Sequence, residues 1–412
     1  MTAAAPPSGS LRAVLAHGSF TRFLLARFAG SFAVQMQTVA VGVQVYTITH
    51  DPLDLGLIGL SQFVPFLCFV LIAGQAADRL NRKRIVVVCF ALLLACSLAL
   101  AALTHAGLRS PWPVFAVMVV FGVARAAMAP ASQALMPNLV PLALFGNAVG
   151  INSAMWQVAT IAGPALGGAL YAAEGPLAVY GAVALLLAGA VLATASITAP
   201  RQTPPAEKPS WHTLVEGLRF VWRRHSVLGA ISLDLFAVLF GGATALLPAY
   251  ATDVLKVGVE GLGWLRAAPG MGAAVMAGLL TLWPINRHAG RAMFLGVAVF
   301  GVATIVFGLS RDFAISLVAL GVLGAADMIS VFVRHLLVQL ETPDAMRGRV
   351  GAVSWMFIGA SNELGEFESG LTASWWGLVP AVVVGGAATL IVAGLWRRLF
   401  PELRELDRFP GA

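Results

Sequence analysis

The chain has 412 residues, of which 59% are hydrophobic and 11% charged, with a formal net charge of +7. Soluble globular domains carry about 25% charged residues, so this composition excludes an ordinary soluble fold and points to a lipid-embedded one. Three cysteines, Cys68, Cys89 and Cys96, all fall in apolar stretches, which suggests neither a disulfide framework nor a metal cluster.

A bilayer-spanning helix needs about 20 apolar residues to cross about 30 Å of hydrocarbon. Apolar stretches of that size fall at 20–48, 54–77, 85–104, 113–137, 146–172 and 176–198, then at 227–251, 261–285, 292–309, 313–340, 349–374 and 378–399. Twelve transmembrane helices follow, numbered below as spans 1 to 12. Their Gly and Ala content lets helices approach closely in lipid. The ten-residue alternation of a membrane β-barrel is missing. Residues 1–18 lack a cleavable signal pattern, so the first span is expected to stay.

Lys and Arg collect in alternate loops. Arg79, Arg82, Lys83 and Arg84 follow span 2, and Arg201, Lys208, Arg219, Arg223 and Arg224 separate spans 6 and 7. Arg287, Arg291, Arg347, Arg349, Arg397, Arg398, Arg404 and Arg408 continue the same side, whereas the other side has little beyond Arg109, Lys256 and Arg311. The positive-inside rule then puts both termini in the cytoplasm of a multi-pass inner-membrane protein. It also accounts for the net charge without nucleic acid.

The only long polar stretch, 199–225, divides an N-terminal bundle (1–198) from a C-terminal bundle with a short tail (226–412). Pro204, Pro205 and Pro209 favour an extended start. From Trp211 onward, Leu214, Val215, Leu218 and Val221 recur at helical spacing opposite Arg219 and Arg223, predicting an amphipathic helix on the inner membrane surface. In one fixed register Asp51 matches Asp253, Gly59 matches Gly261, Gly122 matches Gly324, Pro141 matches Pro343, Gly163 matches Gly365 and Gly168 matches Gly370. This reads as a duplication. Six spans per repeat is an even number, so the repeats run parallel, and such repeats place a substrate site between the halves near midplane.

Charged residues inside spans cost roughly 2.5 to 3.5 kcal/mol each at a helix centre and therefore mark cavities or partners. Asp234 lies in span 7, Arg125 in span 4, Asp327 in span 10, and Glu363, Glu366 and Glu368 in span 11. Arg125 and Asp327 are equivalent in the two repeats and either pair with each other or line the cavity separately. Burial raises a carboxyl pKa and a nearby cation lowers it, so such a group can be tuned to load and release a proton. Asp234, Glu363, Glu366, Asp327 and Arg125 are the proton-coupling candidates. Gln35, Gln37, Asn152, Trp156, Gln157, Trp355 and Asn362 are candidates for lining a substrate cavity. No phosphate-binding loop and no hydrolase or metalloprotease motif occurs, so neither ATP coupling in this chain nor an enzyme is expected, and no cofactor or metal is implied.

The loop "GQAADRLNRKR" (74–84) resembles the signature Gly-x-x-x-Asp-Arg-x-Gly-Arg-Arg/Lys of the major facilitator superfamily, with Asn81 in place of a glycine whose left-handed backbone Asn tolerates. The resemblance implies the major facilitator fold and a cytoplasmic latch built from Gly74, Asp78, Arg79 and Arg82. The counterpart "INRHAGR" has Asn286 and no carboxylate. In span 5, Gly150, Ala159, Gly163, Pro164, Gly167 and Gly168 are similar to the family's antiporter motif, with Ala159 replacing one glycine. In that reading a flat, kinked helix packs against span 8 of the other half and controls closure. The stretches 234–251 and 342–370 and the tail "PELRELDRF" resemble the bacterial exporter branch that includes the enterobactin exporters.

The implied function is a proton-coupled exporter of a small hydrophobic or amphipathic molecule, a siderophore, drug or metabolite, working by alternating access. An importer or uniporter of the same fold and a non-transporting receptor or scaffold stand as alternatives. Its partners are the solute, protons and membrane lipid.

Overall fold

The computed structural model describes residues 11–198, 211–285, 287–343 and 346–407. The linker stretch 199–210, Asn286 and Arg408 lie outside the described residues, as do the side chains of Gly74, Asp78, Arg79, Trp211, Leu214, Arg347 and Trp355.

Every regular element among the described residues is helical. A chain in lipid must satisfy its backbone hydrogen bonds internally, and helices do so within one segment. The long helices are α1 (Gly18–Thr49), α2 (Pro52–Arg79), α3 (Arg82–His105), α4 (Trp112–Leu135) and α5 (Phe145–Ala195), then α6 (Trp211–Arg223) and α7 (His225–Phe240). They continue with α8 (Gly258–Leu282), α9 (Ala289–Leu309), α10 (Phe313–Glu341), α11 (Arg347–Trp376) and α12 (Leu378–Leu399). Nine helices among the described residues are long and apolar enough to cross a membrane. α1 and α11 run 32 and 30 residues but carry more polar groups, Gln35, Gln37 and Gln44 in the first and three glutamates in the second.

Spans 5 and 6 are two helices that meet at Gly175, the one residue between Phe145 and Ala195 that leaves helical geometry, at φ 78°. That left-handed backbone suits Gly, and Pro176 restarts the helix because its ring fixes φ and its missing N–H costs nothing at a first turn. Local sequence sets other boundaries too. The Asn81 side chain accepts a hydrogen bond from the Arg84 amide and caps α3, with φ −65°. Asn81 is thus an N-cap in extended backbone and not the left-handed residue expected from the motif. Asp312 caps α10 the same way, accepting from the Ile315 amide at 2.9 Å.

The chain divides into two compact units, residues 1–48 with 64–208, and residues 49–63 with 209–412. In the first, α3 packs on α4 and α5. A buried polar network ties α1, α3 and α5 together: the Tyr180 hydroxyl donates to Gln44 Oε1 at 2.7 Å, Gln44 Nε2 to Thr104 Oγ1 at 2.8 Å, and Ser97 Oγ to the Tyr180 carbonyl at 2.9 Å. Tyr180→Phe strips the Gln44 oxygen of this donor, and an unsatisfied buried acceptor costs about 1 to 3 kcal/mol. A lower thermal midpoint in detergent is the expected reading, and an unchanged midpoint would remove the network from the account of unit stability.

In the second unit, α8 crosses α10, α9 packs on α10 and α12, and α7 packs on α11 and α12. A core of Ala230, Leu233, Ala237, Ala289, Met293, Val297, Val333 and Leu337 brings α7, α9 and α10 together. The first turns of α2 pack here as well, against the second half of α11.

Candidate functional site: a buried ion pair between α7 and α10

Asp327, Ser330 and Arg334 are spaced three and four apart on α10 and so share one face. That face meets Asp234 in the middle of α7. Arg334 Nη1 donates to Asp234 Oδ2 at 2.6 Å, and Ser330 Oγ donates to Asp234 Oδ1 at 3.3 Å. Asp234 is 4% exposed and Arg334 3%, so the pair is shielded from both lipid and water. Arg334 Nε makes no hydrogen bond.

Asp327 and Asp234 line one small pocket together with Ala237, Val238, Phe300 and Ser330. It has room for about one water molecule. Asp327 lies within electrostatic reach of both Asp234 and Arg334. Two carboxylates therefore share one guanidinium. With all three ionised the cluster carries a formal charge of −1, and one proton makes it neutral. An uncompensated charge in such a site is costly, so proton occupancy and helix packing are linked.

Arg334 did not figure among the expected site residues, although it lies in an apolar span and costs as much to bury as any carboxylate there. The same holds for Arg266 of α8. Its Nε lies buried without a hydrogen bond, and Glu366 of α11 acts on it electrostatically. Glu366 also faces α2: a Cβ built on Gly59 would lie 2.8 Å from Glu366 Oε2. Glu363 stands one turn away on the same helix, with its carbonyl 3.5 Å from that position, and Glu368 is half-buried. The structure thus gathers Asp234 with Asp327, and Glu363 with Glu366, in the second unit. Arg125 is exposed on α4 in the first.

The antiporter-like stripe lies on the first half of α5. Ala159, Gly163 and Gly167 recur every four residues and are buried. A Cβ on Gly163 would lie 2.7 Å from the Gln35 Cβ, and one on Gly167 2.9 Å from the Met36 Cα. The flat face of the motif therefore packs on α1 within its own unit. Gly168 and Pro164 are buried beside it, while Gly150 has nothing within 4 Å of a built Cβ. Of the latch residues, Arg82 donates to the Ala134 carbonyl at 2.9 Å, fastening the start of α3 to the end of α4.

Among the cavity candidates, Gln35 is half-buried against Gly163, Asn152 and Gln157 are half-buried, and Trp156 is exposed. Asn362 turns back to donate to its own helix at the Ile358 carbonyl. Gln37 is buried with neither amide atom hydrogen-bonded.

A family profile described as transmembrane secretion effector matches residues 9–410. The enterobactin exporter EntS of Escherichia coli O139:H28 is 26% identical over 96% of this chain and 94% of its own length. A variant of the nucleoside transporter NupG superposes with a TM-score of 0.74 at 13% identity, covering 93% of this chain and 100% of that one. A bacterial homologue of the human lysosomal transporter Spinster, in an inward-facing and unoccupied conformation, gives 0.73 at 16% identity over 96% and 98%.

Proposed function

This chain belongs to the transmembrane secretion effector family and is a multi-pass membrane transporter of major facilitator type, and from that premise we propose that it is a proton-coupled exporter of a small hydrophobic or amphipathic molecule. The observation that carries the coupling is the Asp234–Arg334–Asp327 cluster, where a buried and a half-buried carboxylate lie within electrostatic reach of one cation. Asp234 is engaged by Arg334 and Ser330, so Asp327 is the carboxylate left to take the proton. Loading it neutralises the cluster and releasing it restores the charge, and each state favours a different packing of α7 on α10. Alternating access follows when solute and proton bias the same two-state equilibrium.

Similarity to an enterobactin exporter over nearly the whole length supports export and an amphipathic solute. The protein in this reading lies in the bacterial inner membrane with twelve passes, two parallel six-helix bundles and both termini in the cytoplasm. Single cysteines placed at Lys83 and Arg291 should then label from the same side, opposite to one placed at Arg109; labelling of all three from one side would end that topology. Transport is tested in proteoliposomes carrying a trapped pH dye, with enterobactin and ethidium as probes. Addition of a transported probe should drive proton movement in the opposite direction. Solute flux indifferent to an imposed pH gradient would instead favour a uniporter of the same fold.

A further inference from the structure

Helix α6 presents two unlike faces. Gly217 and Val221 point inward: a Cβ on Gly217 would lie 2.9 Å from the Arg349 carbonyl, and Val221 is fully buried among Val227, Ile231, Val338, Val350 and Val353. Glu216, the only carboxylate of the helix, is drawn to the same side by Arg349 at 2.5 Å. The other face carries Val215, Arg219, Trp222 and Arg223, spaced four, three and one apart, followed by Arg224; Val215 thus lies beside Arg219 and Arg223 and not opposite them as expected from the sequence. Trp222 is 63% exposed and Val215 46%, and the three arginines are exposed. Among the described residues no carboxylate pairs with them.

The depth of this face is fixed by the chain itself. Arg224 alone separates α6 from α7, and α7 begins the apolar segment His225–Val254 that is long enough to cross the bilayer. With a rise of about 1.5 Å per residue, Trp222 and Arg223 stand within about one helical turn of the hydrocarbon edge. That is headgroup depth, where tryptophan rings are enriched and arginines meet lipid phosphates. A water-facing surface would gain nothing from exposing Trp222 and Val215 beside three cations.

We propose that the outer face of α6 binds anionic phospholipid headgroups, with Arg219, Arg223 and Arg224 contacting phosphates and Trp222 and Val215 seated at the acyl boundary. Because α6 is locked to Arg349 at the start of α11, lipid held there also fixes the inner end of that helix.

The full chain in nanodiscs tests this with brominated lipids, which quench nearby tryptophan. The emission of Trp222 is the difference between the wild type and Trp222→Phe. Brominated phosphatidylglycerol in a phosphatidylcholine bilayer should be enriched beside Trp222 over its bulk ratio by about tenfold or more, because each of the three juxtamembrane cations attracts anionic lipid by about 1 kcal/mol. The enrichment should fall toward the bulk ratio in Arg219→Gln/Arg223→Gln/Arg224→Gln, and in high salt with the wild type, because such attraction is screened. The salt series stands even where the triple variant does not fold. Equal quenching by brominated phosphatidylglycerol and phosphatidylcholine in the wild type, or an enrichment unmoved by both salt and arginine removal, overturns the assignment and leaves the face to an acidic protein segment.

Discussion

Arg334→Met is expected to lower stability by about 3 to 5 kcal/mol, the cost of removing one partner from a buried ion pair. The reason is the geometry of the cluster. Asp234 and Arg334 meet at 2.6 Å with almost no exposure, and Asp327 borders the same pocket. Without the guanidinium, two carboxylates face each other, with the Ser330 hydroxyl 3.3 Å from Asp234 and with His335 within electrostatic reach of that carboxylate. The paired replacement Asp234→Leu/Arg334→Met should recover most of the loss, because it removes the stranded Asp234 charge and leaves in the pocket only Asp327, which a single proton neutralises. Thermal unfolding followed by intrinsic tryptophan emission reads both variants through Trp396, whose ring lies 5.1 Å from that of Phe236 on α7 in the same unit. A single Arg334→Met variant that melts with the wild type would show that this pair does not hold α7 on α10. A double variant as unstable as the single one would show that the loss is of packing and not of charge balance.

The apolar spans were legible because lipid leaves the sequence little choice: of the twelve stretches expected to cross, nine helices among the described residues are long and apolar enough to do so. The break between spans 5 and 6 was readable too, since Gly175–Pro176 is a local feature. Contacts across helices were not. The internal repeat makes Arg125 and Asp327 equivalent positions, but it says nothing of the grouping of Asp327 with Asp234 and Arg334 in one unit. Which helices face each other depends on three-dimensional packing that no periodicity encodes. The Asp327–Ser330–Arg334 face was readable from its spacing alone, yet a search for proton carriers favours carboxylates and passes over the arginines that hold them. The small-residue stripe of α5 was likewise plain in the sequence, while its partner, the Gln35–Met36 turn of α1, was not.

Asp327→Asn is expected to separate transport from stability. The amide has the shape of a protonated carboxyl, so the variant is fixed in the neutral form of the cluster with the Asp234–Arg334 pair intact. Removing a buried negative charge leaves the thermal midpoint unchanged or higher. Coupling behaves differently. One pH unit is worth about 1.4 kcal/mol per proton, so a carrier exchanging one proton per solute sustains about tenfold accumulation for each unit of gradient. A carrier that cannot load and release the proton sustains a ratio of about one, while still exchanging solute down its own gradient. Proteoliposomes holding the variant should therefore equilibrate a transported solute without accumulating it. Asp234→Asn is the contrasting case: it weakens the partner of Arg334 and should lose stability along with coupling. If Asp327→Asn still accumulates solute against its gradient when pH differs across the membrane, the proton travels elsewhere. The Glu363 and Glu366 pair beside Arg266 then becomes the place to look.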